Sequence, residues 1–172
     1  MEHTARTLIG GYDYDGLAKS FIRQDRPSAK TAEGRMSYSG TNLYSYRANI
    51  AKLDGDVVLL NTDYIGYSNT TSKHFNALRR YTRDYQIFAI PFNKNSERQL
   101  QYYWDKISQA ITEFRRARAA WVKDSHKRKV KALYHEALAF VAYRKIDRRS
   151  KVYRSNHIRI IQEMLKHKLL GD

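Results

Sequence analysis

The 172-residue chain has no cysteine, only two prolines and only eight glycines. The absence of cysteine excludes disulfide bonds, cysteine-ligated zinc modules, iron–sulfur clusters and thiol catalysis. So few prolines and glycines argue against a protein built mainly of loops and turns. Long apolar runs are missing as well, since no segment approaches the roughly 20 apolar residues of a membrane-spanning helix. Residues 1–16 lack the apolar core of a secretory signal, so we expect a soluble, cytoplasmic protein without a membrane partner.

Acidic residues are also scarce. The chain has 17 Asp and Glu against 32 Lys and Arg, a formal net charge of +15. The excess is uneven, because residues 1–90 carry a net charge of about +3 and residues 91–172 carry about +12. A field of this strength attracts polyanions such as DNA, RNA, anionic lipid headgroups or acidic proteins. The second half of the chain is therefore where a polyanion site is expected.

The common catalytic and cofactor motifs are missing too. The chain has no phosphate-binding glycine loop of the P-loop or dinucleotide type, and no serine nucleophile elbow. Its six histidines form none of the zinc-binding patterns, and its acids are too sparse for a two-metal nuclease. We therefore expect no cofactor and no metal, and we favour a non-enzymatic function.

One histidine is a catalytic candidate. His74, together with Lys73 and Arg79, could support metal-independent RNA cleavage, which needs only a base, an acid and a cation. As a structural residue, His74 would instead satisfy a nearby backbone group. The spacing favours the structural role for His74 and a binding role for its cationic neighbours.

Local composition divides the chain into an N-terminal helix and connector at 1–35, a small α+β unit at 36–92, and a basic helical region at 93–172. In the first segment, Asp13 or Asp15 can cap a short helix. The helix leads into a small, polar connector at 27–35.

The middle segment is predicted to hold a small β-sheet with one or two helices. An Asp-Gly pair is typical of a hairpin turn between strands at 43–52 and 56–61. Capping residues indicate a helix that begins at Thr71 or Ser72. An alternating apolar strand at 85–90 then ends the unit.

The third segment repeats apolar residues at helical spacing. The repeat forms a heptad-like seam over Leu100, Trp104, Ile107, Ile111, Phe114 and Trp121. We predict three helices, at about 96–121, 126–146 and 152–170. Because Asp124-Ser125 is a weak break, one continuous helix over 96–146 is the alternative. The predicted fold class is therefore α+β, with a small sheet followed by a basic all-helical region.

Part of the middle segment resembles a known family. The residues that carry the likeness are Leu59-Leu60-Asn61-Thr62, the run Tyr-Ser-Asn-Thr-Thr-Ser-Lys-His at 67–74, and Leu78-Arg79-Arg80. Over about residues 40–90 the chain resembles a small domain of uncharacterised bacteriophage and mobile-element proteins, which has no settled activity. The resemblance implies a phage origin and a bacterial host cell as the location. Mobile-element proteins of this size are often host-takeover or anti-defence factors.

The helix start in this run is a candidate phosphate site. If the helix begins at Ser72, its first-turn amides are free and positively polarised. Thr71 and Lys73 would stand beside them, and Arg79 and Arg80 would follow one to two turns later. A capped helix with a solvated arginine pair is the simpler alternative.

A larger candidate surface lies in the basic helical region. Its lysines and arginines cluster near predicted helix ends, where they could line a strip that contacts phosphates. These residues are Arg115, Arg116, Arg118, Lys123, Lys127, Arg128, Lys129, Lys131, Arg144, Lys145, Arg148, Arg149 and Lys151. Such contacts give affinity without reading the base sequence.

The sequence thus predicts a protein that binds nucleic acid or a nucleoprotein complex. RNA is favoured over duplex DNA, because no zinc finger, basic zipper or clear helix-turn-helix is present to read a major groove. One alternative is a phage inhibitor that presents its basic helices to an acidic or nucleic-acid-binding groove of a host or defence complex. A ribonuclease centred on His74 and a virion component of defined oligomeric state are further alternatives.

Overall fold

The computed structural model describes residues 11–170. The chain divides into two compact units, Met1–Phe92 and Asn93–Asp172. The described elements of the first unit are α1 (Tyr14–Arg23), β1 (Ser28–Lys30), β2 (Met36–Ser39), β3 (Asn42–Ser45), β4 (Ala48–Asp54), β5 (Val57–Asn61), a short 3-10 helix (Thr62–Tyr64), α2 (Asn69–Arg79) and β6 (Gln86–Ile90). Those of the second are α3 (Ser96–Arg116), α4 (Ala120–Tyr143) and α5 (Lys151–Lys166).

A mixed sheet forms the centre of the first unit, with its strands in the order β1-β2-β3-β4-β5-β6. Strands β1 to β5 form an antiparallel meander, whereas β5 and β6 are parallel, with Val57 opposite Gln86 and Asn61 opposite Ile90. A parallel pair needs a crossover connection. The segment that contains α2 supplies it, and this places the start of α2 just after the end of β5.

The core of this unit lies between the sheet and α1 and α2. Helix α1 packs on α2 and on β2. Its apolar residues Leu17 and Phe21 are buried together with Phe75 and Leu78 of α2 and with Ile50 of β4. The Asp13 side chain accepts a hydrogen bond from the Gly16 amide at 2.6 Å and caps α1, so the predicted first helix and one of its two candidate caps are confirmed.

Two predictions about the strands of this unit are wrong. The connector at 27–35 contains β1, which pairs with β2. The single strand predicted at 43–52 is two strands, β3 and β4, which fold back on each other with Ser45 opposite Ala48. The turn between them has no glycine, asparagine or proline to mark it. Tyr46 turns the chain by adopting a φ of 56°.

The second unit is helical, and α3 packs against both α4 and α5. Four members of the predicted seam, Leu100, Trp104, Ile107 and Ile111, are buried on α3, which confirms the heptad spacing there. From α4 and α5, the buried residues include Tyr134, Phe140 and Ile160. The Ser150 hydroxyl caps α5. This helix begins at Lys151, one residue before the predicted range of 152–170, and ends at Lys166.

Residues 96–146 form two helices, and the break lies earlier than predicted. Helix α3 ends at Arg116, because Ala117 is extended with a ψ of 133°, and α4 begins at Ala120. Alanine has the highest helix propensity, so nothing local breaks the chain here. The packing of α4 on α3 decides the break. Asp124 and Ser125, the predicted break, lie inside α4.

The fold class is α+β, as predicted, with a small mixed sheet followed by three helices. Among the described residues, none of the helices has a stretch long and apolar enough to span a bilayer.

Candidate nucleic-acid interface

Helix α2 begins at Asn69, three residues before the predicted phosphate site. The Ser68 hydroxyl caps it by accepting a hydrogen bond from the Thr71 amide at 3.1 Å. The Ser72 amide donates to the Ser68 carbonyl at 2.9 Å, so it is not free for a phosphate. Several residues of this run can cap a helix, and the first of them does so because its hydroxyl reaches the third amide of the turn.

The four residues predicted to hold that phosphate do not come together. Thr71 is only 4% exposed, and its hydroxyl is hydrogen-bonded to Ser68 (2.9 Å) and Ser45 (3.3 Å). Lys73 is exposed near the start of α2. Arg79 and Arg80 are exposed at the other end of α2, about 9 to 10 Å further along the helix axis than Lys73. Arg80 donates a hydrogen bond to the Asp15 carboxylate at 2.5 Å.

His74 is fully buried under β3. Its Nδ1 is hydrogen-bonded to the Ser45 hydroxyl at 2.9 Å, and its ring meets the Tyr14 ring edge-on with centroids 4.5 Å apart. The buried Nε2 has no hydrogen-bond partner. Burial, with a smaller effect from the Arg35 guanidinium, lowers the pKa of His74 to about 4. The ring is therefore neutral at pH 7, and it satisfies a side-chain hydroxyl instead of the backbone group that we expected.

A small cavity of about 200 Å³ opens beside this hydroxyl cluster. Its lining residues are Ser45, Tyr46, Arg47, Ala48, Tyr64, Tyr67, Ser68 and Thr71. Tyr46 is held in the left-handed backbone region that L-residues avoid. The Ser45 hydroxyl is hydrogen-bonded to a neutral histidine of low pKa. Neither Asp nor Glu is among the residues that line the cavity. The arrangement is therefore a weak candidate for nucleophilic catalysis.

The predicted cationic interface residues of the second unit fall into two groups at opposite ends of α4. The first group surrounds the α3–α4 turn and the first half of α4: Arg115, Arg116, Arg118, Lys123, Lys127, Arg128, Lys129 and Lys131. The second follows the end of α4: Arg144, Lys145, Arg148, Arg149 and Lys151. Because α4 has 24 residues, its ends are about 36 Å apart. The predicted residues therefore form two patches, and residues 132–143 between them carry no lysine or arginine.

The segment 115–123, which we call the hairpin tip, is the more concentrated patch. It holds four cations and no acid within nine residues. Arg115, Arg116 and Arg118 are exposed, and within residues 11–170 none of them forms an ion pair or a hydrogen bond to an acidic side chain. Lys123 lies over the Phe114 ring, with its Nζ 6.0 Å from the ring centroid.

Few acidic residues lie near the tip, and Glu113 is already hydrogen-bonded within the protein. The Glu113 carboxylate accepts a hydrogen bond from Lys129 at 2.8 Å and lies 3.5 Å from the His126 ring. The hydrogen bond from Lys129 is the main cause of the lowered pKa of Glu113. Asp124 is exposed on the second turn of α4. The tip arginines therefore keep their charge available for an external anion.

Trp121, the last member of the predicted seam, does not lie in the core. Its side chain is 75% exposed at the start of α4. The heptad count runs across the break at 117–119, and the break shifts the helical phase. The exposed ring belongs to the same nine-residue segment as the tip cations, and the pattern that could have located it is the Arg-Arg-Ala-Arg-Ala-Ala-Trp run itself.

The patch at the other end of α4 is less open. Arg144 packs over the Tyr143 and Phe140 rings, 5.1 and 5.8 Å from their centroids. Lys145 ends α4 with a φ of 50°, and Asp147 accepts a hydrogen bond from the Arg149 amide at 2.8 Å. Arg148 and Lys151 are exposed. Part of this patch is therefore engaged in ending one helix and starting the next.

A metal centre has no support in the described part of the chain, residues 11–170, where no three His, Asp or Glu side chains converge in a way that could hold an ion.

Comparison with known proteins assigns a relative to the first unit alone. Residues 18–87 match the model of a family described as a family of unknown function (DUF8033). The match runs from α1 into β6 and stops before α3, and the description of the family makes no link to phage or mobile-element proteins. No curated protein and no solved structure matches the chain. The chain is thus similar, over its sheet-containing unit, to a family whose function is not known.

Proposed function

We propose that this protein binds nucleic acid, free or within a nucleoprotein complex, and that it catalyses no reaction. The hairpin tip is the proposed contact to the phosphate backbone. The observation that carries the proposal is the set of exposed arginines at 115, 116 and 118, which have no acidic partner among the described residues. Cations left unpaired on a surface are available to replace the counterions of a phosphate chain.

The distribution of charge over the two units supports the same proposal. The second half of the chain carries a net charge of about +12, against about +3 for the first. Lysine and arginine contacts to phosphate supply affinity and orientation without base information. RNA remains the expected polymer, because the helices carry no motif that reads a major groove and arginine-rich helices suit shape and backbone recognition.

The position of His74 favours binding over cleavage. A general base must come within hydrogen-bond reach of the proton that it removes. His74 is 0% exposed, and its Nδ1 is already bonded to Ser45. The ribonuclease alternative therefore has no accessible base at this position.

The test is a fluorescence-anisotropy titration of the protein with labelled single-stranded RNA, structured RNA and duplex DNA across a series of salt concentrations. We expect affinity to fall steeply with salt. The triple variant Arg115→Gln, Arg116→Gln, Arg118→Gln is expected to reduce the slope of log K against log salt by roughly 2 to 3, because each phosphate contact contributes about 0.7 to 0.9.

A matched control removes the same charge from the first unit. Arg23, Lys52 and Arg83 are exposed there, and their replacement by Gln gives the same net charge as the tip variant. The control is expected to change the slope much less. Equal effects of the two triple variants would assign the binding to net charge alone, and weak binding that ignores polymer type at physiological salt would overturn the proposal.

A second candidate is a phage-encoded inhibitor that binds an acidic or nucleic-acid-binding groove of a host or defence complex. The feature that favours it is the exposed Trp121 beside arginines, since tryptophan and arginine dominate the energetics of protein interfaces. In this case free nucleic acid binds weakly, and the same tip variant abolishes capture of a protein complex from host lysate.

A further inference from the structure

The two tryptophans of the chain have opposite environments. Trp104 is fully buried on α3, whereas Trp121 is 75% exposed at the hairpin tip. Tryptophan is among the most buried residue types on average, because its ring carries a large apolar surface. Single exposed apolar residues are common on protein surfaces. This one differs because four cations share its nine-residue segment.

The local geometry keeps the ring outside the core. Trp121 is the second residue of α4, and the buried face of that helix is formed by Val130, Tyr134, Ala137 and Val141. The residues one and two turns further along the face of Trp121 are Ser125 and Arg128, and both are exposed. The face of α4 that carries Trp121 is therefore polar and cationic at Ser125 and Arg128, and Arg118 lies three residues before Trp121 in the chain.

We propose that Trp121 stacks on an unpaired base of a single-stranded nucleic acid whose phosphates are held by the arginines of the hairpin tip. This inference rests on the proposed function and adds the class of substrate. An aromatic ring and nearby cations can contact both parts of a single strand. The ring stacks on the π surface of a base, and the cations bind the negatively charged backbone. In a duplex the bases are already stacked on their neighbours, so an exposed indole cannot reach a base face without opening a pair.

Charge complementarity favours an anionic occupant, and the rings of the bases favour a nucleic acid over an acidic protein surface. An apolar peptide or a second copy of this chain would meet Arg115, Arg116 and Arg118 without a negative charge to pair with them, and like charges across an interface are repulsive. A nucleic acid brings one phosphate per nucleotide and also brings the ring that Trp121 can contact. The same chemistry fits single-stranded RNA and single-stranded DNA, so both polymers belong in the test.

The test compares three ligands of equal phosphate number: a single-stranded oligonucleotide, the same backbone with abasic sites, and a duplex. The variant Trp121→Ala is expected to weaken binding of the single strand by roughly 10- to 100-fold, the range of stacking contributions per base. For the abasic strand and for the duplex, the affinity of Trp121→Ala is expected to stay within about 2-fold of the affinity of the unmodified protein. Trp121→Phe, which keeps a ring, should retain most of the affinity.

A matched control tests whether the loss of any large exposed apolar side chain, aromatic or not, weakens binding. Leu165 is also in the second unit and is 61% exposed, so Leu165→Ala removes a large exposed side chain that is not aromatic. It is expected to leave binding of all three ligands unchanged. Circular dichroism and thermal unfolding of each variant establish that the fold is kept.

Fluorescence gives a direct readout of the stack. The emission of Trp121 is the difference between the unmodified protein and Trp121→Phe, since the remaining tryptophan, Trp104, is buried. We expect acrylamide to quench this emission in the free protein and the single-stranded oligonucleotide to protect it. The abasic strand is expected to leave it accessible.

The outcomes separate the two proposals. If the single strand binds with a steep salt dependence but Trp121→Ala binds it as well as the unmodified protein does, nucleic-acid binding stands and the stacking role is wrong. If none of the three ligands binds above the level of a generic cationic protein, both proposals fail together. An equal loss on the abasic strand would assign Trp121 to the structure of the tip, which also overturns the stacking role.

Discussion

At the scale of single residues, burial changes the acid–base chemistry of His74. Burial and the Arg35 guanidinium lower its pKa from an ordinary value of 6.5 to about 4. The unfolded chain therefore binds more protons than the folded protein between pH 6.5 and 4, and stability is lost as the pH falls through this window. We expect the free energy of unfolding of the first unit to drop by roughly 2 to 3 kcal/mol across it. Denaturant unfolding at a series of pH values measures the loss.

The control for this prediction is His74→Asn. An asparagine amide can replace Nδ1 toward the Ser45 hydroxyl but does not titrate. The variant is expected to be less stable at pH 7, with a flatter pH dependence between 6.5 and 4. His157 also has a pKa lowered by burial and by Arg148, so the difference between the two proteins isolates His74. If the stability of the unmodified protein and that of His74→Asn change with pH in the same way, a group other than His74 causes the change.

At the scale of the element, the start of α2 depends on one serine. Ser68 caps the helix through the Thr71 amide and also contacts the Thr71 hydroxyl. Ser68→Ala is expected to lower the free energy of unfolding by about 1 kcal/mol. Ser72→Ala is the matched control, because Ser72 lies in the interior of the helix and its loss is expected to change stability by less than about 0.5 kcal/mol. If urea unfolding shows that Ser68→Ala and Ser72→Ala lose the same free energy of unfolding, Ser68 is not the residue that caps the helix.

The end of α4 has the geometry of a glycine C-cap but holds a lysine. The Ile146 amide bonds to the Val141 carbonyl at 3.0 Å and the Lys145 amide to that of Ala142 at 3.2 Å, while Lys145 has a φ of 50°. A left-handed backbone costs a residue with a Cβ about 1 kcal/mol. Lys145→Gly is therefore expected to be more stable than Lys145→Ala by about 1 kcal/mol. Both variants lose the same charge, so thermal unfolding of the pair measures the backbone effect alone.

For the molecule as a whole, the sequence predicted what depends on apolar spacing. The α1 cap, the buried residues of α3 and the strand at 86–90 are all in place. The turn at Tyr46 was not predicted, because an aromatic residue between two strands indicates strand, and only the sheet pairing forces it into a turn. The break at 117–119 was not predicted either, since its alanines favour a helix and only packing on α3 ends it.

The candidate site was predicted in composition but not in position. Charge asymmetry is a property of the sequence, so the cationic second half could be identified at once. Whether the cations form one strip or two patches depends on where α4 begins and ends, which is set by tertiary packing. The exposure of Trp121 follows from the same break. A heptad count that ignores the break is shifted by a few residues, and it therefore predicts a buried side chain at 121.

If the hairpin tip exists for binding, its arginines are not needed for stability. They make no ion pair within residues 11–170, and in a unit of this charge each repels the others. The triple variant Arg115→Gln, Arg116→Gln, Arg118→Gln is therefore expected to keep its free energy of unfolding within about 0.5 kcal/mol at physiological salt, and to gain stability at low salt, where repulsion is least screened. Lys129→Gln is the comparison, because it replaces the charged donor to Glu113 by a shorter, neutral one and is expected to lower stability. Denaturant unfolding at two salt concentrations measures both. A loss well above 1 kcal/mol in the triple variant would mean that the arginines hold the α3–α4 turn together, and the cationic surface would then have a structural reason to exist.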